Sequence, residues 1–267
     1  MIPKTINFCW FGRNPKPEVV LHCIESWKRN CPDYQIIEWN EDNFDFSGCP
    51  YAVEAYQQKK WAFVSDYARI KILLENGGIY CDTDVEIIKP LDDLLNQEAF
   101  IGFELGLDGE YGVNTGSMMG AVAGNQYLVE QEKAYKTYSF GETTQSGRAK
   151  TCVDYTTELM IGYGLKRNNE YQTVLGVSIY PSDYFSPRNM KTGQIELTDN
   201  SRSIHRYDGT WATPTEQYGY HLKWECIEKH GTKIGKVVYG LRYSLYIIRH
   251  DGIGALFKKV GDKLSKK

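Results

Sequence analysis

The sequence predicts an α/β protein, a mixed, mainly parallel sheet flanked by helices, and three observations lead there. Strand-like and helix-like stretches alternate from the first residues to Pro90, the order that lays helices over the faces of a sheet. Phe63, Tyr67, Ile70 and Leu74 fall at steps of four, three and four, the period of one buried helix face. Gly77-Gly78 then ends that helix, and Ile79-Tyr80-Cys81 runs as a short buried strand into Asp82-Thr83-Asp84. Two carboxylates therefore stand at a strand end, where ligands of open α/β sheets collect.

Taken in order, residues 5–10 read as a first strand that closes on Phe11-Gly12 and a proline-containing loop. Residues 18–30 follow as a helix with Val20, Ile24 and Trp27 on one face, residues 34–39 as a second strand, and residues 51–60 as a helix after an acidic loop. Beyond Pro90 a short helix over 91–96 and a strand over 99–103 are expected. A glycine-rich loop over 106–112 then leads into Val113-Asn114-Thr115-Gly116 and a run of small residues, without the Gly-x-Gly-x-x-Gly spacing of a dinucleotide fingerprint. Helices over 126–138 and 151–163 and strands over 174–180 and 202–207 complete the expectation. The last of these strands carries His205 and is followed by Asp208-Gly209-Thr210-Trp211.

The 267 residues suffice for one large α/β domain, and a net charge of −3 supplies no basic field, which argues against nucleic acid as the main partner. Seven cysteines, an odd number with no Cys-x-x-Cys pair, fit reduced side chains of a cytosolic protein, with pairing of Cys9, Cys23 and Cys31 left open. The chain enters a strand at once after Met1-Ile2-Pro3-Lys4, so a cytoplasmic location is expected. No run approaches the roughly 20 apolar residues of a membrane-spanning helix. The 20 tyrosines and 6 tryptophans supply flat amphipathic rings suited to sugars or bases.

Asp82 and Asp84 alternate with Thr83, so in extended chain they project to one side and can share a hard cation. Asp66 and Arg69, three apart on one helix surface, present an acceptor and a bidentate donor to a polar ligand. Each candidate has a plainer reading. Trp10 can be core, Asp66 with Arg69 an ordinary surface ion pair, His205 a satisfied half-buried side chain, and Asn114 the cap of a turn. Lys258, Lys259, Lys263, Lys266 and Lys267 interleave with Leu256, Phe257, Val260 and Leu264, a basic amphipathic pattern that is either a solvated face or a contact with an anionic membrane.

The run Ala62-Phe63-x-Ser65-Asp66-x-x-Arg69, then Gly77-Gly78-Ile79-Tyr80-x-Asp82-x-Asp84, resembles the glycosyltransferases of the sugar-binding-region DXD-motif family. Members include capsule and exopolysaccharide transferases and, distantly, the catalytic domains of clostridial glucosylating toxins. Ile2-Pro3-Lys4-Thr5-Ile6 with Trp10-Phe11-Gly12, Glu25-Ser26-Trp27 and Ile37-Glu38-Trp39-Asn40 extend the likeness over about the first hundred residues. The resemblance implies a GT-A fold that binds a nucleotide-sugar and a divalent metal, typically manganese (Mn2+, or Mg2+ in its place). It implies that Trp10 stacks on the base, that Asp66 and Arg69, with Ser65 beside them, hold the donor sugar or diphosphate, and that Asp82 and Asp84, flanking Thr83, address ribose and metal. By the same likeness His205 is a further metal ligand, Trp211 covers the diphosphate and Asn114 contacts the donor sugar.

The expected organisation is a single catalytic domain over 1–250, with a nucleotide-sugar-binding half (1–105) and an acceptor half (106–250), and a basic amphipathic tail over 251–267. The expected activity is metal-dependent, retaining transfer from a UDP-sugar to a polysaccharide or lipid-linked oligosaccharide in capsule or exopolysaccharide synthesis. Rival readings are a toxin-like protein glycosyltransferase and a nucleotide-sugar or glycan binding module without turnover.

Overall fold

Strand β1 (Thr5–Cys9) is buried along most of its length because it lies between two parallel neighbours, β2 (Gln35–Trp39) and β3 (Gly78–Tyr80). Such a strand is covered on both faces, so it reads as an apolar run rather than an alternation. The computed structural model describes residues 1–106, 109–145, 147–189, 192–209 and 214–264, and the chain divides into two compact units, the larger made of residues 1–142, 149–188 and 195–206.

In the larger unit the crossover from β1 to β2 is made by α1 (Glu18–Asn30), whose Trp27 is fully buried, meets Phe8 edge-on at 5.5 Å and donates its indole N–H to the Val85 carbonyl at 2.7 Å. One side chain thus joins α1, β1 and the short strand β4 (Val85–Ile87). Trp27→Ala is expected to lower the free energy of unfolding by about 3–5 kcal/mol, read as a fall in the urea midpoint at constant slope.

Helix α2 (Pro50–Gln57) leads into α3 (Trp61–Asn76), which carries the expected apolar period but is buried from Val64 to Ile70 without a break. Gly77 (φ 67°) caps it and Gly78 (φ 99°) opens β3. A Cβ on Gly78 would stand 2.9 Å from the Thr5 carbonyl oxygen, so both the dihedral and the close approach to β1 require glycine there.

The expected loop over 106–112 is cut short by a strand. Residues Tyr111–Ala121 form β6, the longest strand, inserted antiparallel between β3 and β5 (Ala99–Leu105). Its glycines allow close approach of neighbouring side chains; Gly120, for example, lies under the Phe100 ring. With β7 (Gln172–Val174) and β8 (Val177–Tyr180) the sheet order is β2-β1-β3-β6-β5-β8-β7. Strands β1, β2, β3, β5 and β8 run one way and β6 and β7 the other, which makes the sheet mixed and mainly parallel. The α/β class holds, with α4 (Gln126–Tyr135) and α5 (Cys152–Gly162) completing the helices of this unit. Strand β9 (Ser203–His205) pairs antiparallel with β4 in a separate small sheet and so carries His205 to the turn that precedes β4.

The second unit comprises residues 143–148, 189–194 and 207–267. Its main feature is α6 (Pro214–His250), broken at Gly231 (φ 72°, ψ 167°), after which the chain doubles back. Tyr218 stacks on Tyr246 at 3.8 Å, Gly219 lies against Tyr243, and Arg242 pairs with Glu225 at 2.8 Å, so the two halves form an antiparallel hairpin. Helix α7 (Ile253–Leu264) follows. Residues 214–250 have no counterpart among the sequence expectations, although Ile234, Val237, Leu241, Leu245 and Ile248 recur at helical spacing.

Candidate active site

The co-directional strands deliver their carboxyl ends to one edge of the sheet. Trp10 follows β1, Asp82 lies two positions after the end of β3, and Glu104 sits next to the end of β5. Antiparallel β6 enters at the same edge and brings Asn114, opposite Gly102 across a register shift in the ladder.

Arg69 organises this edge. Its side chain is 2% exposed, and its N–H groups reach Ser65 O (3.1 Å), Thr115 Oγ1 (3.3 Å), Cys152 Sγ (3.5 Å), Asp82 Oδ1 (2.9 Å) and Asp66 Oδ1 (3.1 Å). The guanidinium also lies 4.9 Å from the Tyr80 ring centroid. The Asp66–Arg69 pair is therefore not an ordinary surface ion pair: α3 is enclosed on the side that carries them, and Asp66 is only 6% exposed. Burial pushes the Asp66 carboxyl up to about 6 against the pull of Arg69, with Asp82 adding to the rise. Ser65, also buried, returns its hydroxyl to the Trp61 carbonyl at 3.1 Å.

The triplet Asp82-Thr83-Asp84 is a turn rather than extended chain, closed by Val85 N–H to Asp82 O at 3.0 Å and tied to β6 by Asp82 N–H to Gly116 O at 2.9 Å. The turn overrides the alternation expected from spacing and directs the two carboxylates to different partners. Asp82 Oδ1 accepts from Arg69 and from the Tyr80 hydroxyl at 3.0 Å, and burial raises its pKa against the effect of Arg69. Asp84 Oδ1 stands 3.4 Å from His205 Nε2, and Thr83, between the two aspartates in sequence, is buried. Behind the imidazole, His205 Nδ1 lies 3.6 Å from Glu104 Oε2, which accepts from Asn114 Nδ2 at 2.5 Å. Burial opposes a charged imidazole, but Asp84 and Glu104 outweigh it and push His205 up to about 10.

Glu104 and Tyr80 are site residues that sequence reasoning did not single out. The available signal was an acid and a phenol at strand ends adjacent to the expected ligands. Asn114 serves a local purpose as well, since its Oδ1 accepts from Gly116 N–H at 2.7 Å and Ser117 N–H at 3.3 Å. Trp10 is half-buried rather than core, donating its indole N–H to Asn14 O at 2.7 Å, with Lys16 Nζ 5.9 Å from the ring. Trp211 lies outside the described residues.

The donor set can be tested against a divalent ion. Two ligands about 2.1 Å from one cation, at octahedral to tetrahedral angles, stand roughly 3.0–3.4 Å apart. Asp84 Oδ1 and His205 Nε2 meet that spacing, and a carboxylate behind the imidazole is the usual support of a metal-bound histidine. Among the described residues no group of three His, Cys, Asp or Glu side chains is arranged to hold an ion. Asp84 and His205 would supply a mixed O/N set of the kind divalent first-row ions accept.

Residues 17–101, which include Asp66, Arg69, Asp82 and Asp84, match the family described as glycosyltransferase sugar-binding region containing DXD motif. Over 109 residues the chain is 32% identical to inositol phosphoceramide mannosyltransferase 1 of Schizosaccharomyces pombe, covering 38% of this chain and 33% of that one. Over 143 residues it is 27% identical to inositol phosphoceramide mannosyltransferase 3 of the same organism, covering 52% and 38%. The chain spans about a third of the length of these curated relatives. Among solved structures it is similar to PaToxG glycosyltransferase (TM-score 0.47, 19% identity, 60% of this chain and 69% of that one). It is also similar to the galactosyltransferase LgtC in complex with donor and acceptor sugar analogues (TM-score 0.41, 13% identity, 81% and 92%).

Proposed function

We propose that this protein is a metal-dependent, retaining glycosyltransferase that uses a UDP-sugar. The observation that carries the reading is the buried Arg69 bridge between Asp66 and Asp82, set beside the Asp84–His205 pair at one edge of the sheet. Sugar transfer breaks a bond to a diphosphate whose leaving oxygen gains negative charge. A bound divalent ion would offset that charge, held by Asp84 and His205, with Asp82 beside them.

The chain's own groups do the rest. Arg69 holds both acids in fixed rotamers, so that Asp66 presents its carboxyl to the donor sugar and Asp82 its second oxygen to the ribose or ion. Ser65, Thr83 and Asn114 line the same donor path, Trp10 offers its indole to the base, and Trp211 is the candidate cover for the diphosphate. No side chain is assigned as catalytic base. Residues 1–105 hold the donor and 106–250 the acceptor in this reading.

The acceptor is a glycan on a lipid carrier, as in capsule or exopolysaccharide synthesis on the cytoplasmic face of a membrane, which the tail over 251–267 contacts peripherally. Two relatives support a lipid acceptor, since by name they mannosylate inositol phosphoceramide. Donor screening should therefore include mannose donors as well as UDP-glucose, UDP-galactose and their N-acetyl forms.

The test is release of nucleoside diphosphate with manganese and with chelator. Release is expected only with metal, and Asp84→Asn is expected to lower it about 100-fold or more, with a fall in thermal midpoint because His205 loses one of the two carboxylates that hold its charge. Donor binding with no release from any donor would favour the binding module, and transfer to a protein acceptor alone would favour the toxin-like enzyme.

A further inference from the structure

The returning half of α6 carries an apolar stripe that no described residue covers. Ile234, Val237, Leu241, Leu245 and Ile248 recur at steps of three, four, four and three and are 40% to 67% exposed. At 100° per residue they fall on one line, about 150° around the helix from Gly235, Tyr243 and Tyr246, which meet the first half of α6. The hairpin is therefore closed by one face of this half-helix and leaves the opposite face apolar and open. Exposed Ile253 and Phe257 of α7, with Lys258, continue the same chemistry.

Charge identifies the occupant. Between residues 232 and 250 there are four cationic side chains, Lys233, Lys236, Arg242 and Arg249, and no aspartate or glutamate. A second copy seated on the stripe would bring cations against cations with no acid to pair across the seam, the reverse of what helix pairing selects. At the same spacing Lys233 and Arg249 flank the apolar line, one on each side, while Lys236 lies toward the hairpin side and Arg242 pairs with Glu225. An apolar line so flanked, with long stems that carry the charge outward, suits the headgroup boundary of an anionic bilayer. No described helix is long and apolar enough to cross a membrane, so the contact lies in the plane of the surface.

We propose that the returning half of α6 is an in-plane docking face for an anionic lipid bilayer, with Leu241 and Leu245 at its centre. The inference starts from the membrane contact proposed above for the tail and places its main anchor on a different element, whose hairpin packing holds the stripe outward. It stands apart from the chemistry: loss of diphosphate release with vesicle binding intact would count against the transferase reading and leave this one standing.

The test is flotation of the full chain with vesicles of phosphatidylcholine containing phosphatidylglycerol, compared with phosphatidylcholine alone. The protein is expected to float with the anionic vesicles only. Leu241→Glu with Leu245→Glu is expected to weaken that binding about tenfold or more, with helical content retained because both positions are exposed. Lys233→Gln with Arg249→Gln is expected to weaken it about tenfold and to reduce its salt sensitivity. Undiminished binding by the leucine double variant overturns the proposal. So does equal binding to neutral vesicles, or a concentration-dependent dimer that the leucine double variant dissolves while neither protein floats.

Discussion

Arg69→Met is expected to lower the free energy of unfolding by about 3–5 kcal/mol and to abolish measurable sugar transfer. The methionine fills much of the volume, so the loss is electrostatic. Buried Asp66 and partly exposed Asp82 would face one another without the one described cation that contacts both, and removing one partner of a largely buried ionic group strands the others. Each acid must then take up a proton or turn away, and either change removes the carboxylates proposed to meet the donor. Arg69→Lys separates the two contributions. An ammonium restores the charge but offers three donors, where the guanidinium reaches five acceptors on α3, β6, α5 and the carboxylate turn. Lysine should therefore recover about half of the lost stability and little of the activity. Thermal unfolding and diphosphate release on the same preparations check both statements, and an Arg69→Met protein as stable and active as the parent would refute the bridging role.

What the sequence made legible follows the range of the forces involved. Helix α3, its two closing glycines and the strand that follows are fixed by local rules, namely helical period and positive φ, and they appear as expected. The same local rules failed for β6, because a strand buried in the middle of a sheet needs neither alternation nor β-branched residues, so its first two residues fell in the expected loop and the rest carried no element. They failed again for Asp66 and Arg69, since charged side chains are presumed exposed until a tertiary partner is known. That partner, Asp82, lies 13 positions from Arg69. Glu104 was missed for a related reason. An acid at a strand end is unremarkable until β9, a hundred residues later, sets His205 against it. His205 itself was reachable only through a family likeness, because its meeting with Asp84 depends on the β4–β9 pairing.

Gly116→Ala is expected to lower transfer about 100-fold or more while costing only about 1–3 kcal/mol of stability. The reason is a close approach and not a dihedral angle, since Gly116 lies in ordinary strand conformation within β6. A Cβ built there would overlap Asp82 Oδ2 and stand 2.7 Å from Arg69 Nη1. The backbone cannot retreat, because Gly116 O accepts from Asp82 N–H at 2.9 Å and Gly116 N–H donates to Asn114 Oδ1 at 2.7 Å. The side chains must yield instead, and Asp82 is the one at the open edge. Rotating it breaks the contact with Arg69 and removes the second oxygen from the space proposed for ribose and ion. A single methyl group thus acts on catalytic geometry without removing any polar atom, and a small fall in thermal midpoint with a large fall in diphosphate release is the expected signature. Gly48→Ala, where an added Cβ meets nothing within 4 Å, should change neither quantity. If Gly116→Ala retained full release, Asp82 would not need the position it occupies, and the donor site would have to be built on Asp84, His205 and Glu104 alone.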